Sequence, residues 1–115
     1  MSSENIHEFT DSNFDGQVLS SPVPVLVDFW APWCQPCQML SPLIDDVAKE
    51  FGDRVRVGKV NTDENRTVGT TYQIFSLPTI IIFKNGQEFR RFQGLARNQM
   101  QKMVEGLQQA LEVPA

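Results

Sequence analysis

The chain of 115 residues holds two cysteines, Cys34 and Cys37, set two residues apart in Trp30-Ala31-Pro32-Trp33-Cys34-Gln35-Pro36-Cys37-Gln38. That spacing suits reversible dithiol–disulfide chemistry if a helix begins there. Residues three apart at a helix start are neighbours, so the two sulfurs can join and part with little backbone movement. The flanking residues supply such a helix: Val25-Leu26-Val27-Asp28-Phe29-Trp30 reads as a buried strand, and Leu40, Leu43, Ile44, Val47 and Phe51 recur at helical spacing. A CxxC where a strand hands over to a helix reads as a redox motif. Free N–H groups and the positive dipole end at the helix start favour a thiolate on Cys34, and a lowered thiol pKa makes a cysteine reactive near neutral pH. Cys37, one turn further in on the side of Leu40 and Ile44, is expected to be the more buried thiol and to resolve what Cys34 attacks.

Two other uses of the pair are weaker. A structural zinc site wants four ligands, and beyond the cysteines only His7 and carboxylates are on offer, so no metal is expected. An inert disulfide closing two intervening residues would constrain the unfolded chain little, because that stabilisation grows with loop length.

The length fits one domain, 1–115, with a core of its own. Hydrophobic residues make up 41% and charged residues 21%, which is globular rather than disordered composition. A net charge of −4 and the lack of clustered Lys and Arg argue against nucleic acid and against an anionic membrane surface. The Arg90-Arg91 pair reads as the solvated face of an edge strand. Met1-Ser2-Ser3-Glu4-Asn5 has neither the basic start nor the apolar run of a secretory signal, and no stretch reaches membrane-spanning length. Together with two cysteines confined to one motif, this makes a cytoplasmic location the expectation.

The elements that must hold the cysteines follow in order. After a few loose residues, Ile6-His7-Glu8-Phe9 reads as a short strand, with His7, the lone histidine, on its surface. Thr10 is placed to cap a helix through Asp11, Phe14, Val18 and Leu19. The Val25–Trp30 strand is apolar on both faces apart from Asp28, the pattern of a central strand. Pro42 inside the next helix removes a hydrogen bond to Gln38 and predicts a kink. Arg54 through Val60 alternates as the following strand, completing a right-handed parallel strand–helix–strand unit. Asp63 is placed to cap a short helix reaching Tyr72. Pro78-Thr79-Ile80-Ile81-Ile82-Phe83 opens with proline at a tolerated strand position, Asn85-Gly86 signals a hairpin, and Glu88 through Phe92 returns. A final helix carries Met100, Met103, Val104, Leu107, Ala110 and Leu111 on one face, its methionines as core filler, before a frayed tail at Val113-Pro114-Ala115.

Val27-Asp28-Phe29-Trp30-Ala31-Pro32-Trp33-Cys34-Gln35-Pro36-Cys37 resembles the active-site segment of the thioredoxin family, with Gln35 where the family has Gly. The order of elements matches the thioredoxin fold over nearly the whole chain, as do Asp28 on the central strand, Pro78 before a threonine, and Gly94 after the last strand. The resemblance implies an α/β fold with a mixed five-stranded sheet flanked by four helices. It implies a protein disulfide reductase that forms a mixed disulfide on Cys34 and resolves it with Cys37.

On the residues alone, Asp28 is equally a buried proton carrier or a strand-end aspartate bonded to backbone; the resemblance favours a general acid and base for Cys37, with Lys59 modulating its charge. The resemblance also implies a cis bond at Pro78 and a shallow groove of Trp33, Ser76, Leu77, Pro78, Gly94 and Leu95. There a substrate backbone pairs much as an added strand would. Trp33, beside Pro32 and the helix start, reads as exposed. No bound cofactor is expected, and no glycine-rich nucleotide fingerprint is present. Electrons would come from NADPH through a flavin-containing thioredoxin reductase, the partner of a monomer. Two rivals remain at this level: an oxidase or isomerase of the same fold, kept open by Gln35, and a binding module without turnover.

Overall fold

Val25–Trp30 forms β2, and its complete burial up to Phe29 follows from its sequence, since an apolar strand with no polar face must be covered on both sides. The computed structural model describes residues 5–114, so the expected loose start at 1–4 and the last residue of the tail lie outside the described residues. In chain order the elements are β1 (Ile6–Glu8), the short helix α1 (Asp15–Leu19), β2, α2 (Gln35–Phe51), β3 (Arg56–Asn61), α3 (Arg66–Thr71), β4 (Thr79–Lys84), β5 (Gln87–Gln93) and α4 (Gln99–Glu112). The sheet order is β1-β3-β2-β4-β5. β1 and β2 run parallel to β3, while β4 is antiparallel to β2 and to β5. This is the expected α/β architecture, with β2 in the middle.

Alternate residues of β2 face opposite layers. Leu26 packs with Leu40, Ile44 and Val47 of α2 and with Met103 and Leu107 of α4. Val27 and Phe29 pack on the other side with Phe9, Phe14, Val18 and Val68. The two long helices therefore cover one face, and α1 and α3 cover the other. Phe14, Tyr72 and Phe83 meet there edge-on or tilted, with ring centroids 5.1 to 5.6 Å apart, the geometry aromatic quadrupoles favour. β3 passes this layer at Gly58, where a Cβ would come within 2.4 Å of the Phe9 ring. At the β4–β5 turn Asn85 and Gly86 both have positive φ, 54° and 78°, as a two-residue hairpin requires. Pro42 stands inside α2, which runs on to Phe51.

Three local expectations are corrected. Thr10 does accept from the Asn13 amide at 3.2 Å, but the helix it was to start is reduced to Asp15–Leu19, closed by a wide Ser20 N to Asp15 O bond of 2.9 Å. Asp11 is drawn elsewhere. Its carboxylate accepts from the amides of Thr67 and Val68 at 3.3 and 2.9 Å, so α3 is capped from across the molecule and not by Asp63. Arg54 does not open β3: its guanidinium donates to the carbonyls of Phe51 and Glu50 and lies over the Phe51 ring. A cation there completes the C-terminal end of α2. The Arg90-Arg91 pair lies on edge strand β5 as expected, with Arg91 held by Glu88 at 2.8 Å.

Because the side chain at α3's own N-cap position, Asn65, makes no capping bond, Asp11 supplies that cap from a distant loop. Asp11→Ala is expected to cost about 1 kcal/mol, seen as a lower denaturation midpoint with an unchanged slope. An unchanged midpoint would mean that water replaces the carboxylate without loss.

Candidate active site

β2 ends at Trp30, and a four-residue turn closed by the Cys34 amide on the Ala31 carbonyl at 3.1 Å delivers the chain to α2. Cys34 takes the N-cap position, with extended backbone (φ −91°, ψ 104°), and its sulfur accepts the Cys37 amide at 3.2 Å. A sulfur thus fills the place where a Ser or Asp oxygen normally satisfies the free amides of a first turn. Pro36, also in this turn, needs no amide partner. Cys34 and Cys37 are joined as a disulfide, Cα to Cα 5.3 Å.

Cys37 is the more buried thiol, as expected, though by little. Cys34 is 4% and Cys37 3% exposed, and Trp30 and Leu77 pack against the buried cluster the two form with Ala31. What distinguishes them is position: Cys34 caps the helix and receives an amide, whereas Cys37 lies within the first turn on the buried side.

Asp28 lies beneath this turn. Along one face of β2, Leu26 belongs to the core under α2 and Trp30 packs on the cysteines, so Asp28, between them, faces the junction of the two. It is 1% exposed, and its Oδ1 has no hydrogen-bond partner among the described residues. Its neighbours across the strands are Lys59 and Ile80. Burial pushes its carboxyl up to about 7, against the downward pull of the Lys59 ammonium. Lys59 donates its Nζ to Ser41 Oγ at 2.5 Å, and Ser41 is one turn beyond Cys37, so the lysine is fixed under the same end of α2. Ser41 is a contact that nothing in its sequence neighbourhood signalled. A cleft of about 350 Å³ lined by Trp30, Lys59, Asn61 and β1 opens beside it. His7 also lines that cleft, exposed and stacked on Phe9 at 5.9 Å, as expected of a surface histidine.

The other expected site residues lie on the loops before α2 and β4 and after β5. The Leu77–Pro78 bond is cis, and Leu77 packs against the cysteines. Gly94, with φ 77°, donates its amide to the Pro78 carbonyl at 2.8 Å, tying the loop after β5 to the loop before β4. Ser76 is exposed and accepts the Thr79 hydroxyl through its carbonyl, and Leu95 is part-exposed. Trp33 is 71% exposed, its indole N–H donating to the Asp63 carboxylate at 3.1 and 3.3 Å. That bond is why Asp63 is not free to cap α3. Phe75 escaped sequence reading altogether, because an aromatic beside Ile74 reads as core, yet it stands 87% exposed.

Among the described residues no cluster of His, Cys, Asp and Glu is arranged to hold a metal, and no helix is long and apolar enough to cross a membrane.

The family model for thioredoxin matches residues 5–108. Thioredoxin 1 of Synechococcus elongatus is 56% identical over 78 residues, 68% of this chain and 73% of the relative. Thioredoxin of Rickettsia prowazekii is 52% identical over 83 residues, 72% of this chain and 79% of the relative. Chloroplastic thioredoxin M5 of Oryza sativa is 50% identical over 78 residues, 68% of this chain and 45% of the relative. With its cysteine pair joined at the start of α2 and this likeness across the fold, the chain belongs to the thioredoxin family and is a protein disulfide oxidoreductase.

Proposed function

We propose that the chain is a reductase of protein disulfides in which Cys34 attacks and Cys37 resolves. The observation that carries this reading is the position of Cys34 as the cap of a 17-residue helix, with the Cys37 amide aimed at its sulfur. The same donor and the helix dipole stabilise a thiolate once the pair is reduced. The Cys34 thiolate attacks one sulfur of a substrate disulfide, forming a mixed disulfide and expelling a substrate thiolate that takes up a proton. Cys37 then loses its proton and attacks the Cys34 sulfur, releasing the second substrate thiol. Two electrons pass to the substrate, and the Cys34–Cys37 bond re-forms.

Asp28 is the proposed acceptor of the Cys37 proton, with Lys59 tuning its charge. A carboxyl that titrates near 7 is divided between acid and base at neutral pH, the condition for efficient transfer in both directions. The substrate lies across Trp33, Ser76, Leu77, Pro78, Gly94 and Leu95. The return of electrons is assigned to NADPH through a thioredoxin reductase, and the setting to the cytoplasm, with the whole chain acting as one monomeric domain.

Catalytic amounts of the protein with dithiothreitol should speed the reduction of insulin, and Cys34→Ser should abolish it; activity surviving that change would end the reading. Cys37→Ser should hold substrates as mixed disulfides on non-reducing gels. Adducts forming on Cys37 in Cys34→Ser instead would reverse the two roles.

Asp28 gives a pH-dependent test. Its folded pKa, about 7, lies above the unfolded value near 3.9, so the folded protein binds the proton more tightly. The ionisation penalty is absent below about pH 4, grows as pH rises to 7, and is constant above. Asp28→Ala leaves a cavity whose cost does not change with pH. Its stability relative to the parent should therefore rise between pH 4 and 8 by up to about 4 kcal/mol, while turnover at neutral pH falls at least about tenfold. Parallel stability curves across that range would show that Asp28 is not titrating there.

Gln35 is exposed, and its side chain makes no hydrogen bond among the described residues. Gln35→Gly should cost about 0.5 to 1 kcal/mol through backbone entropy, shared by both redox forms, and should move the potential by less than about 30 mV. A larger shift, measured against glutathione, would favour the oxidase or isomerase alternative.

A further inference from the structure

We propose that Ser41 is a positioning residue whose hydroxyl holds the Lys59 ammonium against α2, and so keeps it from pairing with either of the two carboxylates that flank it. This rests on the reductase reading above, in which Asp28 takes the Cys37 proton.

Strand pairing places Lys59 between two acids. In the parallel register of β1, β3 and β2, Glu8 and Asp28 are its direct neighbours on either side, and paired positions on adjacent strands share a face about 4.8 Å apart. The long, flexible lysine stem can reach both. Yet the one ion pair among the described residues joins Arg91 to Glu88, and Lys59 Nζ donates to Ser41 Oγ. A cation that passes over two carboxylates for a neutral hydroxyl needs a cause, and each side supplies one. Glu8 is exposed on edge strand β1, where an ion pair gains little over water. Asp28 is 1% exposed, and pairing there would draw the ammonium out of the cleft that Lys59 lines with Trp30 and Asn61 and cost it its water. Ser41, half-buried on α2, accepts the ammonium while Lys59 still lines the cleft.

Helix spacing makes this bond part of the setting of the thiol. Ser41 follows Cys37 by four residues, one turn along the same side of α2, so the lysine is fixed to the element that carries the resolving cysteine. The other groups about Asp28 offer no second anchor. Its β4 neighbour is Ile80, α4 brings Met103 and Leu107 to this layer, and the cysteines carry no charge while joined. Asp45, one turn beyond Ser41, has a buried Oδ1 without a partner among the described residues, and His7 lies in the cleft with Glu8. Once the hydroxyl is removed, the acceptor that rewards the ammonium most is the unpartnered Asp28 Oδ1, because attraction between charges is strongest where water is excluded.

The test follows the Asp28 carboxyl by carbon-13 NMR against pH in the oxidised full chain, where the cysteines do not titrate. In Ser41→Ala the midpoint should fall by at least about one pH unit, since an ammonium in contact favours the carboxylate. In Ser41→Thr, which keeps a hydroxyl, it should stay at the parent position. In a Lys59→Gln background, Ser41→Ala should leave the midpoint where Lys59→Gln alone puts it. Glu8, His7 and Asp45 are kept in every variant, so their charges are common to the series. The rate of insulin reduction by Ser41→Ala, relative to the parent, should rise at least about threefold from about pH 8 to about pH 6, because a more acidic Asp28 stays ionised and able to take the Cys37 proton. A midpoint in Ser41→Ala that is unchanged or higher, or an equal fall in the Lys59→Gln background, overturns the positioning role. Failure of the parent to reduce insulin, or a rate ratio that stays flat although the midpoint falls, would instead overturn the reading of function on which that role depends.

Discussion

The interaction on which the site depends is the cap that a sulfur makes for α2. Four amides at a helix start need acceptors, and here the first turn meets that need with Cys34 Sγ on the Cys37 amide and with a proline that has no amide. A helix whose cap is a thiol couples its own start to the charge on that thiol. The rest of the structure holds this junction still. β2 is buried on both faces, so its end cannot shift without disturbing two core layers, and Trp30 carries that rigidity to the buried cluster that holds the cysteines by packing against it.

Beneath the cap lies a second and opposing constraint. An aspartate 1% exposed with an unpartnered oxygen is a cost to the folded state, and the nearest relief, the Lys59 ammonium, is directed to Ser41. Lys59 is thus near enough to pull on the Asp28 charge, yet the two form no ion pair among the described residues. A full ion pair would hold the carboxyl ionised and low in pKa; isolation would leave it protonated well above neutrality. The intermediate arrangement keeps a titrating group close to the thiols at the expense of stability, the usual relation between a polar group in a core and a function that needs it.

Much of this was legible because it is local. Periodicity gave β2, the buried face of α2 from Cys37 to Phe51, and the face of α4 that contains Met103 and Leu107. Asn85-Gly86 announced its turn through its need for positive φ. Asp28 stood out as one charge in an apolar run, and Trp33 could be read as exposed from its place between a proline and a helix start. The errors arose where a short polar side chain had two partners to choose from. Asp11 and Asp63 both sit where a helix cap is plausible, but each is claimed by a group more than 29 residues away in sequence, α3's amides in one case and the Trp33 indole in the other. No window of sequence contains both halves of such a bond.

These long-range bonds converge on one end of the sheet. β2 and β3 run parallel, so Trp30 and Asn61 finish side by side, and the Trp30 carbonyl accepts both the amide and the hydroxyl of Thr62 at 2.9 and 3.0 Å. The carboxyl ends of parallel strands are where open α/β sheets place their ligand crevices, because the loops that leave there have no strand partner. In this chain those loops are joined to one another: Trp33 to Asp63, Asn61 to Asn65, Asn65 to Asp11, and Asp11 to α3. On the antiparallel side, the Gly94 amide and the Pro78 carbonyl make the matching tie. The disulfide therefore lies between two sets of loops, each braced by its own hydrogen bonds. On these braced loops the faces of Trp33 and Phe75 stand exposed.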